Sequence, residues 1–263
     1  MINLYKNEKI EMKYFEFGTG NKNMIIIPGV SVQSVMESEA LIVAAYKLFN
    51  DDFKVYVFDR INNMPNNYSI FDMADDMIEV IDGLNLKDIY LFGTSQGGMI
   101  AQLIAIKRPD LIVKLNINST TSFVNSKTTK IFDKIINLAL ANKLDKMLDL
   151  FCQVVYSDES YIQLKDSLNA YSKSLTKEDI ERFIIECKAL NGFDISDKIQ
   201  CIKTKTLIIC SKDDKLIDYT DSLLLNDKIK NSEIIIYENY GHVVYDEAPD
   251  IKSKIYDFFM NAI

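Results

Sequence analysis

Short β-rich apolar runs, each cut off by a turn residue, alternate along this chain with helical patterns, and few folds are compatible with that alternation. Residues 24–27 end at Pro28-Gly29, residues 54–58 at Asp59, and residues 89–92 at Gly93. Residues 113–117, 206–210 and 233–237 read as further strands. Continuous runs of this length suit strands buried on both faces. Between them, residues 69–81 open with Ser69-Ile70-Phe71-Asp72, a capping-box-like start, and Gly83 closes the segment. Residues 96–107 carry Met99, Ile100, Leu103, Ile104 and Ile106 and are followed by Pro109. A last helix is expected over 249–260, with Pro249 in its first turn. This predicts an α/β fold: a mostly parallel, doubly wound sheet with helices on both faces. Residues 11–17 partly alternate and are rich in aromatics, and Gly18-Thr19-Gly20-Asn21 marks a turn, so an N-terminal antiparallel hairpin is expected there.

The pattern changes over residues 122–196, where no strong β run occurs. Ile131, Ile135 and Leu138 show helical spacing, as do Leu144, Met147, Phe151 and Val154, and Thr176-Lys177-Glu178-Asp179 looks like a helix start. We read one α/β domain over residues 1–263, with a helical insertion of roughly four helices at 122–196.

Composition narrows the function. A chain 48% hydrophobic and 26% charged has an ordinary core. A net charge of −8 argues against a nucleic-acid partner. Cys152, Cys187, Cys201 and Cys210 are widely spaced with no C-x-x-C pair, the pattern of free thiols in a reducing compartment rather than of a metal site. The first residues mix Lys and Glu with apolar residues, and no run approaches the ~18 apolar residues of a membrane span. A cytoplasmic protein is expected, with a small-molecule substrate, no membrane partner, no cofactor and no metal.

Three residues then stand out. Gly93-Thr94-Ser95-Gln96-Gly97 fits G-x-S-x-G between a strand and a helix. A nucleophile standing clear of the backbone there needs a very tight turn, and the residues two before and two after it must be small. The N–H of Gln96, at the helix start, is free to bind an anion. A second such donor is expected from Val30 in Pro28-Gly29-Val30, because Pro28 has no N–H to give. His242, the single histidine, follows the last strand and is the one candidate of its type for a general base. An acid must hold its tautomer, and Asp213 and Asp214 both stand just past the strand at 206–210. Asp218 and Asp221, further on, read as solvated or helix-capping.

These residues resemble the α/β-hydrolase superfamily, specifically its capped members: carboxylesterases, lactonases, C–C bond hydrolases and prolyl aminopeptidases. The likeness covers nearly the whole chain. It is strongest over Gly93-Thr94-Ser95-Gln96-Gly97-Gly98-Met99-Ile100-Ala101-Gln102, continues through Arg108-Pro109, and returns at Gly241-His242 and Glu247-Ala248-Pro249. The order serine, acid, histidine is that family's order. The family's acid often stands three residues after a strand-ending glycine; Ser211 takes that place, so the resemblance carries the acid to Asp214. It also implies the fold and a cap at 122–196. Two places depart from the pattern. A loop that commonly begins His-Gly begins Pro28-Gly29, and a glycine-rich turn reads Asp59-Arg60-Ile61-Asn62-Asn63. Arg60 is read as a structural salt-bridge partner, with a substrate carboxylate as the alternative. The activity implied is serine hydrolysis of a small ester, lactone or thioester through an acyl-enzyme. Acyl transfer to another acceptor, an aminopeptidase or C–C hydrolase, and a non-catalytic binding protein are the alternatives.

Overall fold

The computed structural model describes residues 1–261. Among these, β1 (Ile2–Lys6), β2 (Glu11–Phe17), β3 (Lys22–Ile27), β4 (Phe53–Ile61), β5 (Ile89–Thr94), β6 (Ile112–Asn118), β7 (Lys205–Ser211) and β8 (Ser232–Tyr237) form one sheet in the order β1-β2-β4-β3-β5-β6-β7-β8. From β4 to β8 along the sheet the strands are parallel; β1 and β2 join antiparallel at one edge. The helices are α1 (Glu39–Ala45), α2 (Ile70–Gly83), α3 (Gln96–Lys107), α4 (Ser126–Leu140), α5 (Leu144–Val155), α6 (Asp158–Leu164), α7 (Leu168–Ser174), α8 (Lys177–Lys188), α9 (Tyr219–Lys228), α10 (Val244–Glu247) and α11 (Ile251–Met260).

The continuous apolar runs have a physical explanation in this arrangement. Successive strand side chains point to opposite faces. Met24, Ile26, Val55, Val57 and Phe92 pack with Ile255, Phe258 and Phe259 of α11 on one face. Ile25, Ile27, Phe58 and Leu91 pack with Met73 and Met77 of α2 and Ile100 and Ile104 of α3 on the other. Helix α2 starts where its capping box predicts: the Asp72 N–H donates to Ser69 Oγ at 3.2 Å, and the Ser69 N–H donates back to Asp72 Oδ2 at 2.9 Å.

The N-terminal expectation needs correction. The hairpin is β1–β2, turning at residues 7–10, and β1 escaped the sequence reading. Residues 18–21 do not join paired strands. β2 pairs with β4 and β3 lies beyond β4, so this segment crosses over, with the Thr19 N–H bonded to Asn50 O at 2.7 Å. β1 alternates exposed and half-buried residues at a sheet edge, which leaves no apolar run to see. The last helix begins at Ile251 after Asp250, so Pro249 precedes it rather than entering its first turn.

The insertion leaves after β6 and returns before β7. Its neck is a short antiparallel contact: Phe123 bridges Asp194, and the Val124 N–H bonds Phe193 O at 2.9 Å. Five α-helices, α4 to α8, lie within it rather than about four, because α6 and α7 are short pieces separated by a 3-10 turn over Lys165–Ser167. β3 sits between β4 and β5, so the chain leaves β3 in one direction and β5 in the other. Such a reversal opens a crevice at the C-terminal ends of the strands, where α/β sheets take their ligands. The loop after β3 and Ser95 after β5 both stand there.

Candidate active site

Ser95 occupies the one-residue junction between β5 and α3 at φ 52° and ψ −121°. A positive φ is strained for a non-glycine residue and persists only where its surroundings hold it. Here the Ser95 N–H donates to Asn118 O at 2.9 Å, and its carbonyl accepts from Gly98 N–H at 2.9 Å and Thr120 Oγ1 at 2.8 Å. The small flanking residues are needed: a Cβ at Gly93 would lie 2.5 Å from Gly97 O, and one at Gly97 would lie 2.1 Å from Ile27 O.

His242 is carried on the loop between β8 and α10 and is 3% exposed. Its Nε2 stands 2.9 Å from Ser95 Oγ and its Nδ1 2.7 Å from Asp214 Oδ2. The other Asp214 oxygen accepts from the Leu216 and Ile217 N–H groups at 2.8 and 3.0 Å, which fixes the carboxylate plane. Asp213 points elsewhere; its Oδ2 accepts from the Asn239 N–H at 2.6 Å and tethers the histidine loop. Ser211, in the place of the family's glycine, donates to Tyr240 O at 2.6 Å and fastens the same loop. Asp218 caps α9 through the Thr220 N–H, whereas Asp221 is buried rather than solvated, and burial raises its carboxyl above the ordinary range.

The loop after β3 lies against the serine: a Cβ at Gly29 would stand 2.9 Å from Ser95 Cβ. Its Gly29 N–H donates to Thr94 Oγ1 at 3.1 Å. The N–H groups of Val30 and Gln96 have no hydrogen-bond acceptor among the described residues, which leaves both free for a ligand oxygen. Arg60 does not form the expected salt bridge among the described residues. It is 2% exposed, and its Nη2 donates to Pro28 O at 2.8 Å and Gln96 Oε1 at 3.2 Å.

Sequence reasoning missed Arg182 and Glu186 on α8. Arg182 pairs with Asp59 and reaches Glu186 Oε1 at 3.2 Å. The one available signal was a charge at 186 inside the apolar stretch of residues 183–187, one helical turn after an arginine.

A cavity of about 610 Å³ opens onto Ser95 and His242. Phe132, Leu148, Phe151, Tyr156 and Tyr171 line it from the insertion, and Ile42, Ala45 and Tyr46 line it from the segment between β3 and β4. Burial pushes Tyr156 and Tyr171 up to about 12 and the Cys152 thiol up to about 11, so all three are neutral at physiological pH. Among the described residues no group of three His, Cys, Asp or Glu is arranged to hold a metal ion, and no helix is long and apolar enough to cross a membrane.

The family model for the α/β hydrolase fold matches residues 22–249. The chain belongs to that family. It is a hydrolase, and it is similar to proteins named "Putative carbamate hydrolase RutD". The one from Agrobacterium fabrum is 26% identical over 237 residues, covering 86% of this chain and 90% of that protein. The one from Rhizobium rhizogenes is 27% identical over 210 residues, covering 76% and 79%. Among solved structures, this hydrolase superimposes on MGS-M2, an α/β hydrolase from a Medee basin deep-sea metagenome library, with a TM-score of 0.89 at 20% identity, covering 99% of this chain and 98% of that one. The enol-lactonase of Burkholderia xenovorans LB400 gives 0.84 at 16% identity, covering 98% and 100%. At these identities the structures speak to the fold.

Proposed function

We propose that this hydrolase cleaves a small, uncharged ester, lactone or thioester through an acyl-enzyme on Ser95. The observation that carries the reading is the unbroken file Asp214–His242–Ser95, with contacts of 2.7 and 2.9 Å. Ser95 Oγ attacks the carbonyl carbon while His242 Nε2 takes its proton. Asp214 holds the imidazole with its Nδ1 proton inward and stabilises the imidazolium as it forms. The developing oxyanion sits between the Val30 and Gln96 N–H groups. His242 then protonates the leaving oxygen or sulfur and the tetrahedral intermediate collapses to the acyl-enzyme; a water deprotonated by His242 attacks the acyl carbon, the bond to Ser95 Oγ breaks as His242 returns the proton to it, and the acid leaves. The helical insertion at 122–196 acts as a cap that roofs the cavity and excludes bulk water during acylation.

The cavity lining supports a neutral substrate. Asp246 is the one carboxylate among the described lining residues, and Lys252 stands 3.1 Å from it, so no unpaired carboxylate waits for an amino terminus. That favours esters over aminopeptidase substrates. A carbamate is the second reading, motivated by the names of the relatives: its carbonyl carries a nitrogen where an ester's carries carbon, and loss of the alcohol would leave a carbamoyl group on Ser95 Oγ.

Ser95→Ala tests the reading. Turnover of an aryl acetate or butyrate should fall by several orders of magnitude with the circular dichroism spectrum unchanged, and a fluorophosphonate should label the parent protein but not the variant. Hydrolysis by the variant within tenfold of the parent would end the proposal. An aryl butyrate, a small lactone, an alkyl carbamate and an emulsified long-chain triglyceride, run in parallel, rank the substrate classes. The cavity predicts the triglyceride last.

A further inference from the structure

We infer that Glu186, on the insertion, is a positioning residue for the oxyanion site; this rests on the serine-hydrolase reading above. Glu186 is 1% exposed and touches neither Ser95 nor His242 among the hydrogen bonds of the described residues. It instead holds both segments that carry the free N–H groups. Its Oε2 accepts from the Ser31 N–H at 3.3 Å, directly after Val30, and its backbone carbonyl accepts from Gln96 Nε2 at 2.7 Å. The remaining anchors of the loop lie around that point. Pro28 O is held by Arg60, the Gly29 N–H by Thr94, and Ser34 Oγ by Asp59. The Val30 N–H thus lies between two anchored N–H groups, those of Gly29 and Ser31.

A fully buried carboxylate is costly unless cations and donors surround it. Burial raises the Glu186 carboxyl, and Arg60 and Arg182 oppose it; Arg182 stands on one oxygen and the Ser31 N–H on the other. A packing role alone would be met by an apolar side chain at less cost. The charges instead form a chain, Asp59–Arg182–Glu186, that ends on the loop whose N–H must meet the oxyanion. The requirement is geometric: an oxyanion donor acts only when fixed near 3 Å from the oxygen before the reaction begins.

Glu186→Ala and Glu186→Gln, in the full chain, test this with an aryl butyrate. Active sites are counted by fluorophosphonate titration, so that turnover refers to labelled serines only. The expected result for Glu186→Ala is a kcat lower by about tenfold to a hundredfold, with KM within about threefold, and a matching slowing of phosphonylation. Glu186→Gln, which keeps an acceptor of the same shape, should recover part of the loss. A merely structural role would lower the titratable fraction and the melting temperature while leaving kcat per titrated site unchanged, and that result overturns the inference. If Glu186→Ala does not fold, the Gln variant decides alone: kcat per site equal to the parent's overturns the inference, and a fall with KM preserved upholds it. If the parent protein itself neither hydrolyses the ester nor labels at Ser95, the functional reading has failed instead.

Discussion

Two of the seams where the insertion meets the core flank the same serine, and a glutamate stands in each. On the oxyanion side, Glu186 reaches from the insertion into the core, inside a cluster of formal charges with Arg182, Asp59 and Arg60. On the histidine side, Glu247 reaches from the core out to the insertion. Its Oε1 accepts from the Ser157 N–H and Oγ at 2.9 and 2.8 Å, and its Oε2 from the Gly241 N–H, next to His242, at 2.7 Å. The Val243 N–H adds a backbone bond to Val155 O at 3.0 Å. The carboxyls respond in opposite directions. Burial dominates at Glu186 and raises it, despite Arg60 and Arg182. At Glu247 burial also pushes upward, but the donors on Ser160, Gly241 and Ser157 together outweigh it and hold the carboxyl low. One seam is set by compensating charges in a dry place, the other by neutral donors near water. The first should be the more demanding in geometry and the less forgiving of substitution.

The largest effect lies on the histidine side but inside the core. Asp214→Asn should lower kcat/KM on the order of 10⁴-fold by leaving His242 in the wrong tautomer, with the fold intact by circular dichroism. Asp213→Asn removes the charge from an exposed tether to the Asn239 N–H, whose acceptor an amide oxygen can still supply, and should stay within about tenfold of the parent. The reverse ranking would mean that the loop tether, not the buried carboxylate, orients the base, and the contrast between the two sides would collapse.

Much of the candidate site itself was legible in the sequence. Ser95 and Gln96 announce themselves because a strand-to-helix elbow is a local pattern, whereas the residues left Asp213 and Asp214 both open and the family resemblance pointed to Asp214. The oxyanion-side seam was not legible. Ser31 and Glu186 lie 155 residues apart, and nothing in either neighbourhood names the other. Arg60 shows the same limit: an arginine after a strand suggests an ion pair, but its partners here are a carbonyl and an amide supplied by distant loops. β1 escaped for a different reason, since a half-exposed edge strand needs no apolar run. Buried parallel strands write themselves into the sequence, whereas polar contacts between distant segments do not.

A smaller effect tests whether the seams differ as argued. Glu247→Ala removes the acceptor for the Gly241 and Ser157 N–H groups, yet Val243–Val155 remains and the freed donors can turn to water. The expected loss in kcat/KM is about threefold to tenfold, the range of a hydrogen bond or two. It should be smaller than that of Glu186→Ala assayed on the same substrate. Equal losses would show that the charged seam has no special hold on the reaction.

The smallest effect is in stability, and it separates the two glutamates by sign. Glu247 has a lowered folded-state value, so its contribution is present above the ordinary carboxylate range and is lost as pH falls through the folded value. Glu186 has a raised folded-state value, so its contribution is present at low pH and is lost as pH rises through that value. Neither Gln variant titrates at the substituted position, so each parent-minus-variant difference in Tm isolates one carboxyl. From about pH 4 to pH 7, the difference for Glu247→Gln should grow in the parent's favour, while that for Glu186→Gln should shrink or reverse. The two changes should have opposite signs. Differential scanning fluorimetry of the three proteins across that range measures them. Parallel curves would mean that Arg182 and Arg60 cancel the burial of Glu186 in full, and that the charged seam is as well satisfied as the neutral one.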